Sequence, residues 1–281
     1  MILIIDSGGT KLEWRQIKEE GSIQQGRVGG FHALLTGIDE LDEKLISIKK
    51  ELSGDINKVY FYGAGCATPK IGVPISECIS KYFPEATVNV ETDLMAVARS
   101  LCNDQEGIAC ILGTGSNSCH YDGMNITKNI PPLGYILGDE GSGVDIGKRL
   151  LRAYARGEFP TPLKVAFQKR YDLDLEKILS NVYRERLPNK FIGKFSKFAF
   201  DHQRDPIILN IIRSSFNDFF DNVLLSYPDI ESLPVHFSGS VAFYFNNILR
   251  QVGTDHSISV KNIVESPVAG LSLFHEKELG S

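Results

Sequence analysis

Cys110–Gly123, CILGTGSNSCHYDG, runs from an apolar strand pattern through a tip of small polar residues into a second strand that returns. Ile2–Trp14, ILIIDSGGTKLEW, has the same form: an apolar run, a Gly/Thr turn, and another strand. One such hairpin is an ordinary turn, because Asp, Ser and Gly are turn residues anyway. Two of them in one chain make a weak internal repeat, and they suggest a molecule of two related halves.

Around these hairpins strands alternate with helices. Leu41, Leu45, Ile48 and Leu52 recur at helical spacing between Asp39 and Leu52, and the strand VYFYG follows directly. ATVNVE is a further strand, and Leu94, Val97, Ala98 and Leu101 after it again lie at helical spacing. This alternation predicts an α/β layered fold. From Leu150 to Val223 the pattern is mostly helical, with an inter-helix core stripe of Ile207, Ile208, Ile211, Ile212, Phe216, Phe219, Phe220 and Val223. A last strand, VHFSG, leads into a helix over VAFYFNNILRQV, and the tail from Ala269 to Leu279 reads as helical.

The 281 residues are 42% apolar and 23% charged, with a formal charge of −5. That balance gives no basic footprint for nucleic acid, and the basic cluster Lys148–Arg156 reads as a solvated helix face. No apolar run approaches the roughly twenty residues needed to cross a membrane. Five cysteines with no C-x-x-C pair and six histidines with no H-x-x-x-H spacing argue against a metal cage. The expectation is a cytoplasmic protein with reduced thiols, acting on small molecules rather than nucleic acid or membrane.

In DSGGTK, Asp6–Lys11, Gly8 and Gly9 let the backbone approach a ligand, Thr10 and Lys11 add polar groups, and successive N–H groups can form an anion-binding concavity. Asp6 ends an apolar strand and is placed to hold Mg²⁺ through water, an ion that uses only one or two carboxylates. Gly113, Thr114 and Gly115 repeat the pattern, so the pair reads as two jaws around the β- and γ-phosphates of ATP. Ser116 and Asn117 follow, where they can meet a polar acceptor molecule. Asp93 stands where a strand ends and a helix begins, and it is either the general base for an attacking alcohol or the helix N-cap. In LGYILGDEGSG, Leu133–Gly143, glycines flank Asp139, which can accept hydrogen bonds from vicinal sugar hydroxyls, while Ser142 and Asp145 fit a capping box. FSGSVA holds Gly239 and Ser240 in either a seat for adenosine or a plain βα turn. Two look-alikes fail: GSGVDIGKR lacks the P-loop spacing, and GTGSNS lacks the third glycine of a dinucleotide fingerprint.

In order and rough spacing, DSGGT, TD before a helix, GTGSN, GDEGS and GSV resemble the sugar kinase/Hsp70/actin superfamily, and more closely the family grouping N-acetylglucosamine kinases with BadF/BadG-type ATPases. The resemblance spans most of the chain and is strongest from Thr92 to Lys148. It implies two ribonuclease-H-like (actin-like ATPase) domains with an ATP cleft between them, at residues 1–106 and 107–268, the second with a helical insertion. The helix at 269–279 is expected to pack back on the first domain. The resemblance also implies phosphate contacts from Thr10 and Thr114, a nucleoside near Gly239 and Ser240, and a sugar site of Asp93, Ser116, Asn117, Gly134 and Asp139. The function that follows is an ATP- and Mg²⁺-dependent kinase for the 6-hydroxyl of an amino sugar, N-acetylglucosamine first. The alternatives are a BadF/BadG-type ATPase activating a partner enzyme and a non-catalytic sugar- or ATP-binding sensor. A homodimer carries over weakly. One position departs from the family: Phe31, with His32 beside it, stands where N-acetylglucosamine kinases have a sugar-binding asparagine.

Overall fold

The strand β1 (Ile2–Ser7) is buried on both faces, which is why its sequence is an uninterrupted apolar run rather than an alternating one. In the computed structural model, which describes residues 1–9, 11–33, 36–66 and 68–279, β1 is the middle strand of a five-stranded sheet. Its neighbours are β2 (Lys11–Ile17) and β3 (Ile23–Gly29) on one side. After α1 (Ile38–Glu51) come β4 (Lys58–Gly63), α2 (Pro69–Tyr82) and β5 (Thr87–Thr92), and then α3 (Asp93–Cys102). The order is β3-β2-β1-β4-β5, with β1, β4 and β5 parallel and β2 antiparallel to both of its neighbours. Leu3 and Ile5 enter a core with Leu41 and Leu45 of α1 and Ile75 and Ile79 of α2. Ile2 and Ile4 point the other way, to Ala96 of α3 and to Leu271 near the C-terminus.

The second sheet repeats this plan. β6 (Gly107–Leu112), β7 (Ser116–Tyr121) and β8 (Ile126–Asn129) come first, followed by a long helical section. That section holds α4 (Gly134–Leu137), α5 (Gly143–Ala155), α6 (Thr161–Tyr171), α7 (Leu175–Tyr183), α8 (Pro188–Gly193), α9 (Ser196–Asp201) and α10 (Pro206–Asn222). Then come β9 (Val235–Ser238), α11 (Ser240–Tyr244), α12 (Asn246–Asp255) and β10 (Val260–Val264). The strand order is β10-β9-β6-β7-β8, the same arrangement written from the other edge. Both sheets are ribonuclease-H-like, so the weak repeat in the sequence is a repeat of topology. The stripe on α10 fills the second core, with Phe216, Phe219 and Phe220 completely buried. The helix expected over VAFYFNNILRQV is two helices, broken at Phe245. Gly147 of the P-loop look-alike lies inside α5, where a Cβ would stand 2.1 Å from the Ile192 carbonyl oxygen; it is a helix-packing glycine.

The chain divides into two units, Met1–Gln105 with Tyr121–Ile126 and the residues from Ser266 onward, and Glu106–His120 with Thr127–Glu265. Among the described residues no helix is long and apolar enough to cross a membrane.

The last helix, α13 (Val268–Glu276), belongs to the first unit and packs on α3 and on the β1–β2 face. A polar network anchors it. Buried His275 bonds the Tyr62 hydroxyl at 2.7 Å and Glu278 at 2.7 Å, and it stacks on Tyr60. The Tyr60 hydroxyl and the Lys58 ammonium both donate to the Glu278 carboxylate. Burial alone would raise the Glu278 pKa, but these bonds from Lys58, Tyr60 and His275 overrule it and hold it at about 2. A carboxylate whose folded pKa lies below its ordinary 4.5 stabilises the fold above that value and ceases to do so as pH falls toward 2. In urea titrations Glu278→Gln should therefore lower stability at neutral pH, and its deficit against the wild type should shrink as pH drops below about 5. Gly270→Ala would put a Cβ 2.5 Å from the Ser100 carbonyl oxygen, and should cost about 1–3 kcal/mol by forcing α13 away from α3.

Candidate active site

Within the first unit the β1–β2 hairpin closes with the Gly8 N–H donating to the Lys11 carbonyl at 2.9 Å. Thr10, at its tip, lies outside the described residues. The hairpin register sets Asp6 directly opposite Glu13, so two carboxylates share one face of adjacent strands, an arrangement that opposes folding. Burial, then the nearby charges of Asp93 and Glu13, push the Asp6 pKa up to about 7, with Lys11 and a hydrogen bond from Ser266 working the other way. Ser266 also donates to Glu13, and the Lys11 ammonium stands 3.2 Å from it.

Asp93 is the first residue of α3, one place past the N-cap. The cap is Thr92, whose hydroxyl oxygen accepts from the Met95 N–H at 3.0 Å. Asp93 is therefore not needed for capping, although its Oδ1 accepts from the Leu94 N–H at 2.9 Å. Burial raises its pKa, and the Leu94 N–H opposes the rise. Cys66 lies close enough for the Asp93 charge to add to burial and drive the thiol up to about 12, so the sulfur keeps its proton.

Phe31 does not line this cluster. Its ring is buried in the core and meets Phe61 edge to face, while its carbonyl accepts from Ser7 Oγ at 2.9 Å. The side chain that approaches the hairpin is His32, whose Cδ2 lies 3.6 Å from the place a Cβ on Gly9 would take. The departure from the family at Phe31 thus alters the core, and His32 is the residue that bears on the loop.

In the second unit the 113–115 loop is held by its carbonyls. Gly143 N–H donates to the Gly113 carbonyl at 2.8 Å and Val144 N–H to that of Thr114 at 3.1 Å, so the first turn of α5 draws both oxygens inward. Among the described residues no hydrogen bond engages the N–H of Thr114 or Gly115, and Thr114 is exposed. A loop with the Gly113 and Thr114 carbonyls drawn inward and the Thr114 and Gly115 amides unengaged has the form that can receive an anion. Gly239, at φ 113°, sits against the same loop: a Cβ there would be 2.4 Å from the Leu112 carbonyl oxygen. Ser240 follows it, exposed, at the start of α11.

Asp139 is buried, and its Oδ1 accepts from the Ser116 N–H at 3.2 Å. Burial raises its pKa, while that N–H and Lys148 hold it down. Asn117 uses its Oδ1 to accept from Asn129 at 2.9 Å and from Ser118 N–H. Gly134, at φ 72°, is exposed at the start of α4, with open space where its Cβ would be. The capping box is one-sided: Ser142 Oγ accepts from the Asp145 N–H, but the Asp145 carboxylate goes to Ser215 and Arg149.

The second unit therefore brings Gly113–Ser116, Asp139 and Gly239 together, and the first brings Asp6, Lys11 and Asp93 together. Sequence reasoning missed Glu13 and Ser266 beside Asp6, and Gly193 of α8, where a Cβ would lie 3.4 Å from the Thr114 methyl. Glu13 was within reach by counting register outward from the hairpin tip; for the others no local pattern exists. Among the described residues no three His, Cys, Asp or Glu side chains form a metal cage. The raised Asp6 carboxyl between Asp93 and Glu13 nevertheless fits a largely hydrated Mg²⁺, whose charge would offset theirs.

No family model matches the chain, and neither does any curated protein. Among solved structures, a Porphyromonas gingivalis protein provisionally named an N-acetylglucosamine kinase is 39% identical over 99% of each chain, with a TM-score of 0.93. A Chromobacterium violaceum protein with the same provisional name is 18% identical over 97% of this chain and 98% of its own, with a TM-score of 0.74. A ROK family glucokinase from Streptomyces griseus, in complex with glucose and AMPPNP, is 15% identical over 98% of each chain, with a TM-score of 0.64. At those identities the last two likenesses concern the fold.

Gly239→Ala should destabilise the second unit by about 1–3 kcal/mol, through both the positive φ and the clash with Leu112. Gly113→Ala, with nothing within 4 Å of the added Cβ, should stay within about 0.5 kcal/mol of the parent in the same denaturation assay.

Proposed function

Because the chain belongs to the family that groups N-acetylglucosamine kinases with BadF/BadG-type ATPases in the sugar kinase/Hsp70/actin superfamily, we propose that it is an ATP-dependent sugar kinase. Its reaction moves the γ-phosphoryl group of ATP to the 6-hydroxyl of an amino sugar, with N-acetylglucosamine the first candidate. The observation that carries this reading is the 113–115 loop, whose Gly113 and Thr114 carbonyls are taken up by α5 while, among the described residues, the Thr114 and Gly115 amides remain for an anion.

The phosphates are assigned to both Gly/Thr loops: Gly8, Gly9, Thr10 and Lys11 in one, and Gly113, Thr114 and Gly115 in the other. Gly239 and Ser240 are assigned to the nucleoside. Asp93 orients the acceptor hydroxyl and takes its proton as the bond to phosphorus forms, a role open to it because Thr92 does the capping. Ser116, Asn117, Gly134 and Asp139 are assigned to the sugar. A Mg²⁺ bound through water at Asp6 would supply positive charge to the phosphates, and Asp6, Glu13 and Ser266 are the residues that would keep it in place.

The test is ADP release from Mg-ATP in the presence of N-acetylglucosamine, glucosamine, N-acetylmannosamine, glucose or water alone. Sugar-dependent release is expected, and Asp93→Asn should reduce it by roughly 10²–10⁴-fold with nucleotide affinity little changed. ADP release that ignores sugar would support the ATPase reading. Sugar binding without ADP release would support a sensor. Sugar-dependent turnover that survives Asp93→Asn would overturn the assignment of the base.

A further inference from the structure

Asp139 is held by its backbone on both sides as well as by its side chain. It adopts the left-handed conformation, φ 58°, which Asp tolerates better than most residues. Its N–H donates to the Pro132 carbonyl at 3.1 Å, and its carbonyl accepts from the Ser142 N–H at 3.2 Å. Its backbone is therefore tied on one side to the segment before α4 and on the other to the N-cap of α5. The carboxylate projects from that anchored backbone onto the phosphate loop. Oδ1 takes the Ser116 N–H, and Oδ2 and Oδ1 lie 3.0 and 3.1 Å from the point a Cβ on Gly115 would occupy. Gly115 thus has no room for a side chain on the Asp139 side.

We propose that Asp139 is a positioning residue for the nucleotide: its carboxylate fixes the Gly115–Ser116 end of the phosphate loop, as Gly143 and Val144 fix the Gly113–Thr114 end. The proposal rests on assigning this loop to ATP phosphates, and it goes beyond the sugar-contact role given to Asp139 above. The loop is pinned at three points, two backbone N–H donors pulling on carbonyls and one carboxylate pulling on an N–H. With all three in place the amides of Thr114 and Gly115 stay oriented before nucleotide arrives, so binding need not bear the cost of ordering them. Removing the carboxylate leaves a buried Ser116 N–H unpaired and the loop free to turn.

The experiment measures the affinity of the whole protein for AMPPNP with Mg²⁺ and the exchange rate of the Ser116 amide hydrogen, in the parent and three variants. Asp139→Ala should weaken AMPPNP binding by about tenfold and speed Ser116 exchange. Asp139→Asn keeps a side-chain carbonyl that can accept from Ser116, so both readouts should stay within about threefold of the parent. Its Michaelis constant should rise for the sugar but not for ATP. Gly115→Ala removes no polar group yet pushes the loop off the carboxylate, and should weaken AMPPNP as Asp139→Ala does. If Asp139→Ala raises the Michaelis constant for sugar alone and leaves AMPPNP affinity and Ser116 exchange unchanged, Asp139 is a sugar contact only and the proposal fails. If the parent protein does not bind AMPPNP, the assignment of the loop to ATP fails, and the proposal with it. Equal loss in Asp139→Asn and Asp139→Ala would overturn the hydrogen-bond account.

Discussion

A peptide loop offers an anion its N–H groups only if something else takes its carbonyls. In this chain the first turn of α5 does so, through Gly143 and Val144. A helix N-terminus has unpaired N–H groups to give, and here they are spent on the loop rather than on a ligand. The surrounding glycines follow from that closeness. Gly143 itself has the Gly113 carbonyl oxygen 3.3 Å from its Cβ position, and Gly239 has Leu112 still nearer, so a side chain at either place would wedge the loop away from its holder. The glycine-rich motifs GTGSN, GDEGS and GSV are far apart in sequence but form one packing problem in the second unit.

The acidic cluster of the first unit is the opposite case. Burial and the charges of Asp93 and Glu13 raise the cost of ionising Asp6, and only Lys11 and the Ser266 hydroxyl relieve it. Cross-strand like charges oppose folding, and the sheet tolerates them because both of its faces are packed: Leu3 and Ile5 under α1 and α2, Ile2 and Ile4 under α3 and α13. The anchoring of α13 by His275 and Glu278 belongs to the same balance. Ser266, two residues before that helix begins, comes to Asp6 and Glu13 from the same stretch of chain.

What could be read in the sequence, and what could not, divides along burial. The central strands β1, β4, β6 and β9 are apolar runs and stand out. The three that local pattern does not reveal are β3, β8 and β10, all edge strands with largely exposed or half-exposed residues. An edge strand answers to one neighbour and to water, so of the four edges only β5, whose Val88 and Val90 alternate, keeps a readable period. At the site, the glycines and Asp93 were legible because turn and helix-start chemistry restrict which residues can stand there. Which of Thr92 and Asp93 caps α3 was not, since both are good caps and only the backbone geometry separates them. Phe31 shows the same limit. A family correspondence gives the position of a residue in the chain, but the direction of its ring is set by Phe61 and the core.

Taken by its chemistry, each unit has a need that the other's does not meet from within. The first presents Asp6, a carboxyl with too little positive charge beside it; the second presents the Thr114 and Gly115 N–H groups, which among the described residues have no acceptor. A divalent cation would relieve the carboxyl, whose burial and acidic neighbours raise its pKa, and an anion would satisfy the amides, so the two units call for ligands of opposite charge.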